Sequence, residues 1–141
     1  MNRELKMETY KILVTGGKGF IGSNLVPELL RRGHEVWVCD LVHSGDENYI
    51  RCDVSKYRQV ERVFEEHKFD YVYHLAAEYG RWNGEDYYEN LWLTNVVGTK
   101  NMIRMQEKKR FRMIFSAQPK FMVTMKALCE RTLWTPCQSN R

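Results

Sequence analysis

Cysteine is sparse in this chain and none of it is patterned. Cys39, Cys52, Cys129 and Cys137 form no Cys-x-x-Cys pair and no zinc-like spacing. A disulfide scaffold and a zinc ribbon are excluded, and reduced thiols in a cytoplasmic protein are the expectation. Proline is rarer still, with three residues in 141, which excludes a collagenous repeat. No apolar run approaches the ~20 residues of a membrane-spanning helix. The start, Met1 to Tyr10, has no apolar stretch of the kind a secretory signal needs. Hydrophobic residues make up 43 % and charged residues 28 %, ordinary values for a folded domain, so a disordered tail is excluded as well. The length suits one domain and little more.

Acidic residues nearly vanish towards the end. Residues 1–99 hold 12 Lys and Arg against 16 Asp and Glu, whereas residues 100–141 hold 10 against 2. Basic segments bind nucleic acid in some proteins. Here Lys108, Lys109, Arg110 and Arg112 crowd a predicted helix end, where cations are favoured by the unpaired carbonyls. No nucleic-acid partner and no membrane are expected.

What the chain does contain is alternation of short strands with amphipathic helices. Lys11 to Thr15 is a branched apolar run that ends at glycines, the mark of a buried parallel strand. Ile21, Leu25 and Leu29 then recur on one helix face, and Gly33 supplies the stop. Pro27 inside that helix predicts a kink. Glu35 to Cys39 is a second strand, closed by Asp40, and a weak strand follows around Tyr49 to Cys52. Ser55 is the expected cap of a helix near Lys56 to His67, whose apolar face is Val60, Val63 and Phe64. Tyr71 to Ala76 is another strand and Trp82 to Asp86 a polar, aromatic loop. Tyr87 to about Glu107 reads as a long helix, with Leu91, Asn95, Met102 and Met105 turned inward, and Phe111 to Phe115 as the next strand. Such alternation predicts an α/β fold, a doubly wound parallel sheet with right-handed crossovers.

The chemistry sits in the glycine loop. Gly16, Gly19 and Gly22 follow a predicted strand and open a predicted helix, the context a dinucleotide site requires. Gly16 would make the tight turn, Gly19 would let a pyrophosphate approach the backbone, and Gly22 would let helix and strand pack. The helix start offers unpaired N–H groups to the phosphates. Asp40 stands 18 residues beyond Gly22 at a strand end. A carboxylate there accepts hydrogen bonds from ribose hydroxyls and repels a ribose phosphate, so NAD is expected over NADP. His43 and Arg51 are nearby cations that oppose this preference. His74 is expected to be packed rather than catalytic. Glu78, Arg81 and Trp82 lie beyond a strand's carboxyl end, either touching a ligand or exposed to solvent.

Thr15 to Gly22 (Thr-Gly-Gly-Lys-Gly-Phe-Ile-Gly) resembles the fingerprint of the extended short-chain dehydrogenase/reductases, in particular the NAD-dependent epimerase/dehydratases of nucleotide sugars. Three further segments are similar to motifs of that family: Asp53-Val54, Leu75-Ala76-Ala77 and Asn95-Val96-Val97-Gly98-Thr99. The resemblance covers roughly residues 9–116 and implies a Rossmann-type sheet. It implies that Phe20 and Ile21 belong to the cofactor loop, that Asp53 and Val54 contact the adenine, and that Leu75, Ala76 and Ala77 lie along the cofactor. Asn95 enters as part of the helix motif. Asp53 alternatively only leads into a capped helix, and Asn95 is alternatively a satisfied polar residue inside its helix. A nucleotide-sugar substrate and a homodimer through the long helix are implied for the full-length family. No metal is implied.

Two features depart from that family. Its acid/base pair is Tyr-x-x-x-Lys, and no tyrosine in this chain has a lysine four positions later. A phenol of pKa ~10 needs such a lysine near neutral pH. Beyond Ser116 the strand–helix alternation dissolves into an irregular tail. Reading the last base of each codon with the first two of the next turns Met122-Val123 into glycine, Met125-Lys126 into glutamate and Trp134-Thr135 into aspartate. Suitable codons from Phe115 to Ala127 then give Phe-Phe-Ser-Ser-Ala-Glu-Val-Tyr-Gly-Asp-Tyr-Glu-Gly, which resembles the family's continuation. The expectation is a cofactor-binding domain over residues 1–115, truncated, followed over 116–141 by a tail outside the family pattern that is either frameshifted or genuinely divergent. On this reading the chain is the NAD-binding portion of such an enzyme, inactive alone. The alternatives are a non-enzymatic dinucleotide-binding module and a nonfunctional truncated product.

Overall fold

A computed structural model describes residues 8–78 and 88–115. Five parallel strands form one sheet in the order β3-β2-β1-β4-β5. They are β1 (Lys11–Thr15), β2 (Glu35–Asp40), β3 (Tyr49–Arg51), β4 (Tyr71–His74) and β5 (Arg112–Phe115). The helices α1 (Phe20–Arg31), α2 (Tyr57–Glu66) and a composite helix lie between them. That last helix is α3 (Tyr88–Trp92), a π-helical stretch Leu93–Gly98 and α4 (Thr99–Lys109). Trp92 and Thr99 keep right-handed helical backbone at both junctions, so the three pieces run on as one helix.

The central strand explains the layering. Successive side chains of a strand point to opposite faces, and β1 is buried on both. Ile12 and Val14 pack with Leu29 of α1 and Val36 on one face. Leu13 packs on the other with Val60, Val63 and Phe64 of α2, Met102 and Met105 of α4, and Phe69, Val72 and Phe111. Phe64 stacks on Phe111 with ring centres 4.9 Å apart. Chain order reverses at β1: β2 and β3 lie to one side, β4 and β5 to the other. In such sheets the crevice at that reversal, beyond the strands' carboxyl ends, is where ligands bind.

The helix stop at Gly33 is present, with φ +82°. The His34 amide reaches the Leu29 carbonyl (3.2 Å) and the Gly33 amide that of Leu30 (2.9 Å), the two bonds of a Schellman end. Several boundaries differ from expectation. Ser55 caps nothing: α2 starts at Tyr57, and Lys56 precedes it without a side-chain cap. The turn is made instead by Asp53, whose Oδ1 accepts the Ser55 amide (2.9 Å) and whose carbonyl accepts that of Lys56 (3.0 Å). β4 ends at His74 rather than Ala76: the Leu75 amide is shared between the Thr15 carbonyl (3.1 Å) and hydroxyl (3.2 Å), and the Ala76 amide turns to the Thr15 side chain. Ile21 is 55 % exposed, not inward; α1 begins beyond the end of β1, so its first turn overhangs the sheet. Leu91 is only half-buried. The composite helix continues to Lys109, and α1 runs unbroken through Pro27. Tyr87, Arg81, Trp82, the Trp82–Asp86 loop, Cys129, Cys137 and the segment 116–141 lie outside the described residues. Among the described residues, no helix is long and apolar enough to cross a membrane.

Candidate functional site

A cleft of about 270 Å³ opens at the chain reversal, floored by the loops after β1 to β4. The glycine loop supplies its centre. Gly16 has φ +68°, a left-handed backbone that a side chain resists. A Cβ on Gly16 would also stand 2.7 Å from the Ala76 nitrogen, and one on Gly22 would stand 2.5 Å from the Gly17 Cα. Both positions are sealed by backbone. Gly19 is different: a Cβ there would meet only the Gly16 carbonyl oxygen, at 3.2 Å, and otherwise open space. Gly19 also precedes α1, which has no side-chain cap at this end and no acid in its first turn. The N–H groups of that turn have no partner within the helix. An anion is the chemical complement of this corner.

Asp40 extends the cleft on the β3 side. Its carboxylate accepts the Lys18 amide on Oδ2 (2.9 Å) and the Leu41 amide on Oδ1 (2.7 Å). A carboxylate offers about four acceptor positions, so two remain for hydroxyl groups of a ligand. Asp53 and Val54 line the same flank further out, with Cys39 and Cys52 beneath. Both thiols are buried and free. A hydrogen bond to Cys52, then burial, pushes the Cys39 thiol well above its ordinary pKa.

Leu75, Ala76, Ala77 and Glu78 line the β4 flank together with Thr94. Buried polar side chains hold this segment. Thr15 Oγ1 accepts the Leu75 and Ala76 amides (both 3.2 Å) and lies 2.8 Å from His74 Nδ1. With its lone pairs taken, the hydroxyl must donate its proton to Nδ1. The ring proton therefore sits on Nε2 and is donated to Thr99 Oγ1, 3.1 Å away. Burial lowers the His74 pKa from 6.5 to about 4, which keeps the ring neutral near pH 7. His74 is packed, as expected from the sequence.

Eight of the twelve residues singled out from sequence line the cleft: Gly16, Gly19, Asp40, Asp53, Val54, Leu75, Ala76 and Ala77. Gly22 lies behind the loop as packing, and Phe20 and Ile21 face solvent. Asn95 acts on the β4 flank through the backbone. Its Oδ1 accepts the Glu78 amide (2.8 Å) and its Nδ2 donates to the Glu78 carbonyl (3.0 Å). Sequence reasoning held Thr15, Lys18 and Thr99 only as members of motifs and gave them no role of their own. A hydroxyl closing an apolar strand and a lysine between two loop glycines were signals for the first two.

The sequence profile of the NAD dependent epimerase/dehydratase family matches residues 12–117. The chain belongs to that family. Among curated relatives, the UDP-N-acetyl-alpha-D-glucosaminuronate decarboxylase of Bacillus cytotoxicus is 32 % identical over 117 residues, covering 76 % of this chain and 36 % of the relative. The UDP-glucose 4-epimerase of Drosophila melanogaster is 32 % identical, with 79 % and 39 % covered. Among solved structures, the Thermus thermophilus UDP-glucose 4-epimerase in complex with NAD superposes with a TM-score of 0.70 at 30 % identity, covering 77 % of this chain and 37 % of that one. The chain thus spans little more than a third of the length of these three relatives, and the match to this epimerase/dehydratase family comprises the sheet and its cleft.

Proposed function

We propose that this chain binds NAD and forms the cofactor-binding part of a nucleotide-sugar epimerase/dehydratase, with residues 1–115 as the binding domain. The observation that carries the reading is the contrast between glycines: Gly16 and Gly22 have no room for a side chain, while Gly19 opens towards the cleft at an uncapped helix start. That cradle fits a diphosphate. NAD, when bound, supplies a hydride acceptor. The chain's own residues bind and orient it. The glycine loop and the first turn of α1 hold the diphosphate, Asp40 takes ribose hydroxyls and disfavours a ribose phosphate, and Leu75 to Ala77 wall the opposite side.

The nucleotide-sugar substrate and the turnover belong to the full-length proteins of the family. No tyrosine here is followed by a lysine four residues on, so the chain alone is expected to bind without converting a nucleotide sugar. That same observation favours a second reading, a dinucleotide-binding module without catalysis. We place the protein in the cytoplasm, with a homodimer formed through the exposed Trp92, Val96 and Ile103 of the long helix. The segment after Ser116 we read as out-of-frame; an uninterrupted reading frame in DNA from independent isolates would refute this. The binding test is calorimetric titration of the purified chain with NAD and NADP, beside Gly19→Val. NAD should bind more tightly than NADP, and Gly19→Val should bind neither while keeping its melting temperature. Equal affinity for the two cofactors, or undiminished binding by the variant, would count against the reading.

A further inference from the structure

The loop after β3 is the outermost part of the cleft. It consists of Cys52 to Lys56, held internally by the two Asp53 turn bonds and anchored at its start by the Cys52 amide on the Asp40 carbonyl (2.9 Å) and the Asp53 amide on Gln59 Oε1 (2.8 Å). Yet Val54 is 4 % exposed. Two residues of the long helix reach it. Asn101, itself 4 % exposed, donates from Nδ2 to the Val54 carbonyl (2.9 Å) and to the Ser55 carbonyl (3.1 Å). Gly98, one turn earlier on the same helix face, brings the helix so close that a Cβ would stand 2.7 Å from Val54 Cγ2. Both protons of one buried amide are thus directed at consecutive carbonyls of a cleft loop, and the adjacent glycine removes all play between helix and loop.

We infer that Asn101 and Gly98 are positioning residues for the base-binding end of the cleft: through the Val54 loop they set the wall against which the purine of an adenine nucleotide rests. The inference rests on the dinucleotide reading above. The strand order supplies the direction. The diphosphate corner follows β1 and Asp40 follows β2, so a ligand whose ribose meets Asp40 extends its base towards the loop after β3. Two buried carbonyls left without a donor would let that loop rearrange. A methyl group at position 98 would push Val54 into the space the base needs.

The probe is ADP-ribose, titrated into the full chain and into Asn101→Leu, Gly98→Ala and Met105→Ala. Met105 is a fully buried residue of the same helix that belongs to the core and does not itself line the cleft. It controls for a loss that merely follows stability. Asn101→Leu, which removes both hydrogen bonds to the loop, and Gly98→Ala, which displaces Val54, should each weaken ADP-ribose about tenfold. Met105→Ala should lower the melting temperature with affinity unchanged. If Asn101→Leu does not fold, Gly98→Ala carries the test. Affinity unchanged in the variants at 98 and 101, or an equal loss in Met105→Ala, overturns the inference. Hydrogen exchange of the ligand-free chain separates this from the parent reading. The Ser55 and Lys56 amides should exchange faster in Asn101→Leu than in the unmodified chain, whether or not any nucleotide binds. Unaltered exchange overturns the clamp itself, whereas an unmodified chain that binds no ADP-ribose overturns the dinucleotide reading.

Discussion

Around Asp40 the β3 flank of the cleft is held by exposed polar contacts, and the buried Asn101 amide acts only further out at Val54; the β4 flank is held by buried contacts at its base. On the first, the Asp40 carboxylate takes two amides at the surface, Lys18 pairs with Asp46, and Arg51 Nε donates to the Leu41 carbonyl (3.0 Å). On the second, Thr15 is fully buried and His74 is 1 % exposed, and their hydrogen bonds link the ends of β1, β4 and α4. Water competes for every contact of the exposed kind. It cannot replace the buried kind, where an unmatched group carries its full desolvation penalty. Changes on the β4 flank should therefore act on folding, and changes on the β3 flank on ligand choice. The glycine loop joins the two flanks and should do both, depending on the position.

Gly22→Ala should have the largest effect. Its Cβ would meet backbone of Gly16 and Gly17 at 2.5–2.7 Å, which no side-chain rotation relieves. A loss of about 2–3 kcal/mol is expected from such overpacking, with NAD binding abolished. Gly19→Ala, three residues away, should melt like the unmodified chain. Parallel thermal melts decide this, and equal losses at both positions would erase the distinction between packing and ligand-facing glycines.

His74→Leu comes next. It strands the Thr15 and Thr99 hydroxyls and should cost about 2 kcal/mol. The pH dependence follows from the lowered pKa. The folded chain binds a proton on His74 only near pH 4, and an unperturbed histidine binds one near 6.5. Between those values the unfolded state takes up the proton first, so stability falls as pH drops from about 6.5 towards 4 and this contribution then levels off. The span corresponds to about 3 kcal/mol. Urea titrations from pH 7.5 to 4 should show the decline in the unmodified chain and a flatter profile in His74→Leu. Identical slopes would mean that the β4 flank is not the rigid one.

The fold was legible because strands buried on both faces leave continuous apolar runs and their helices leave a 3.6-residue period. Lys11–Thr15 and Tyr57–Glu66 are of this kind. The glycine corner was legible for a related reason: close backbone approach admits one residue type, and Gly16 and Gly22 are where that approach occurs. What stayed hidden were polar side chains acting across the sheet. Asn101 and Val54 are 47 residues apart, and no local period registers such a pair. Ser55 misled because a serine before an amphipathic run is a general helix-start signal, whereas here the Asp53 side chain had already closed the turn. The π-helical stretch at Leu93–Gly98 left no trace either, since its residues suit an α-helix equally well.

Asp40→Asn should act on ligand choice and little on stability. The amide keeps one acceptor oxygen for either the Lys18 or the Leu41 amide, the other amide lies at the surface where water takes it, and the negative charge is removed. NADP affinity should rise about tenfold relative to NAD, as expected for removing one partly screened charge from beside a ribose phosphate. Competition titrations measure the ratio directly. A ratio that stays constant would show that Asp40 does not face the ribose.

The smallest effect should come from Lys18. Its ammonium pairs with Asp46 and lies 5.5 Å from the centre of the Tyr49 ring, tying the glycine loop to the loop between β2 and β3. The tie is exposed on both sides, and the part of Lys18 that holds Asp40 is the backbone amide, which a substitution preserves. Lys18→Ala and Asp46→Asn should therefore each change NAD affinity by about twofold at most, with the double variant no worse than either alone, and raised salt should remove even this. The cycle is read by titration at low and high ionic strength. A loss beyond tenfold that survives high salt would mean that the ammonium reaches the ligand itself, and the β3 flank would then hold its ligand as firmly as the β4 flank holds the fold.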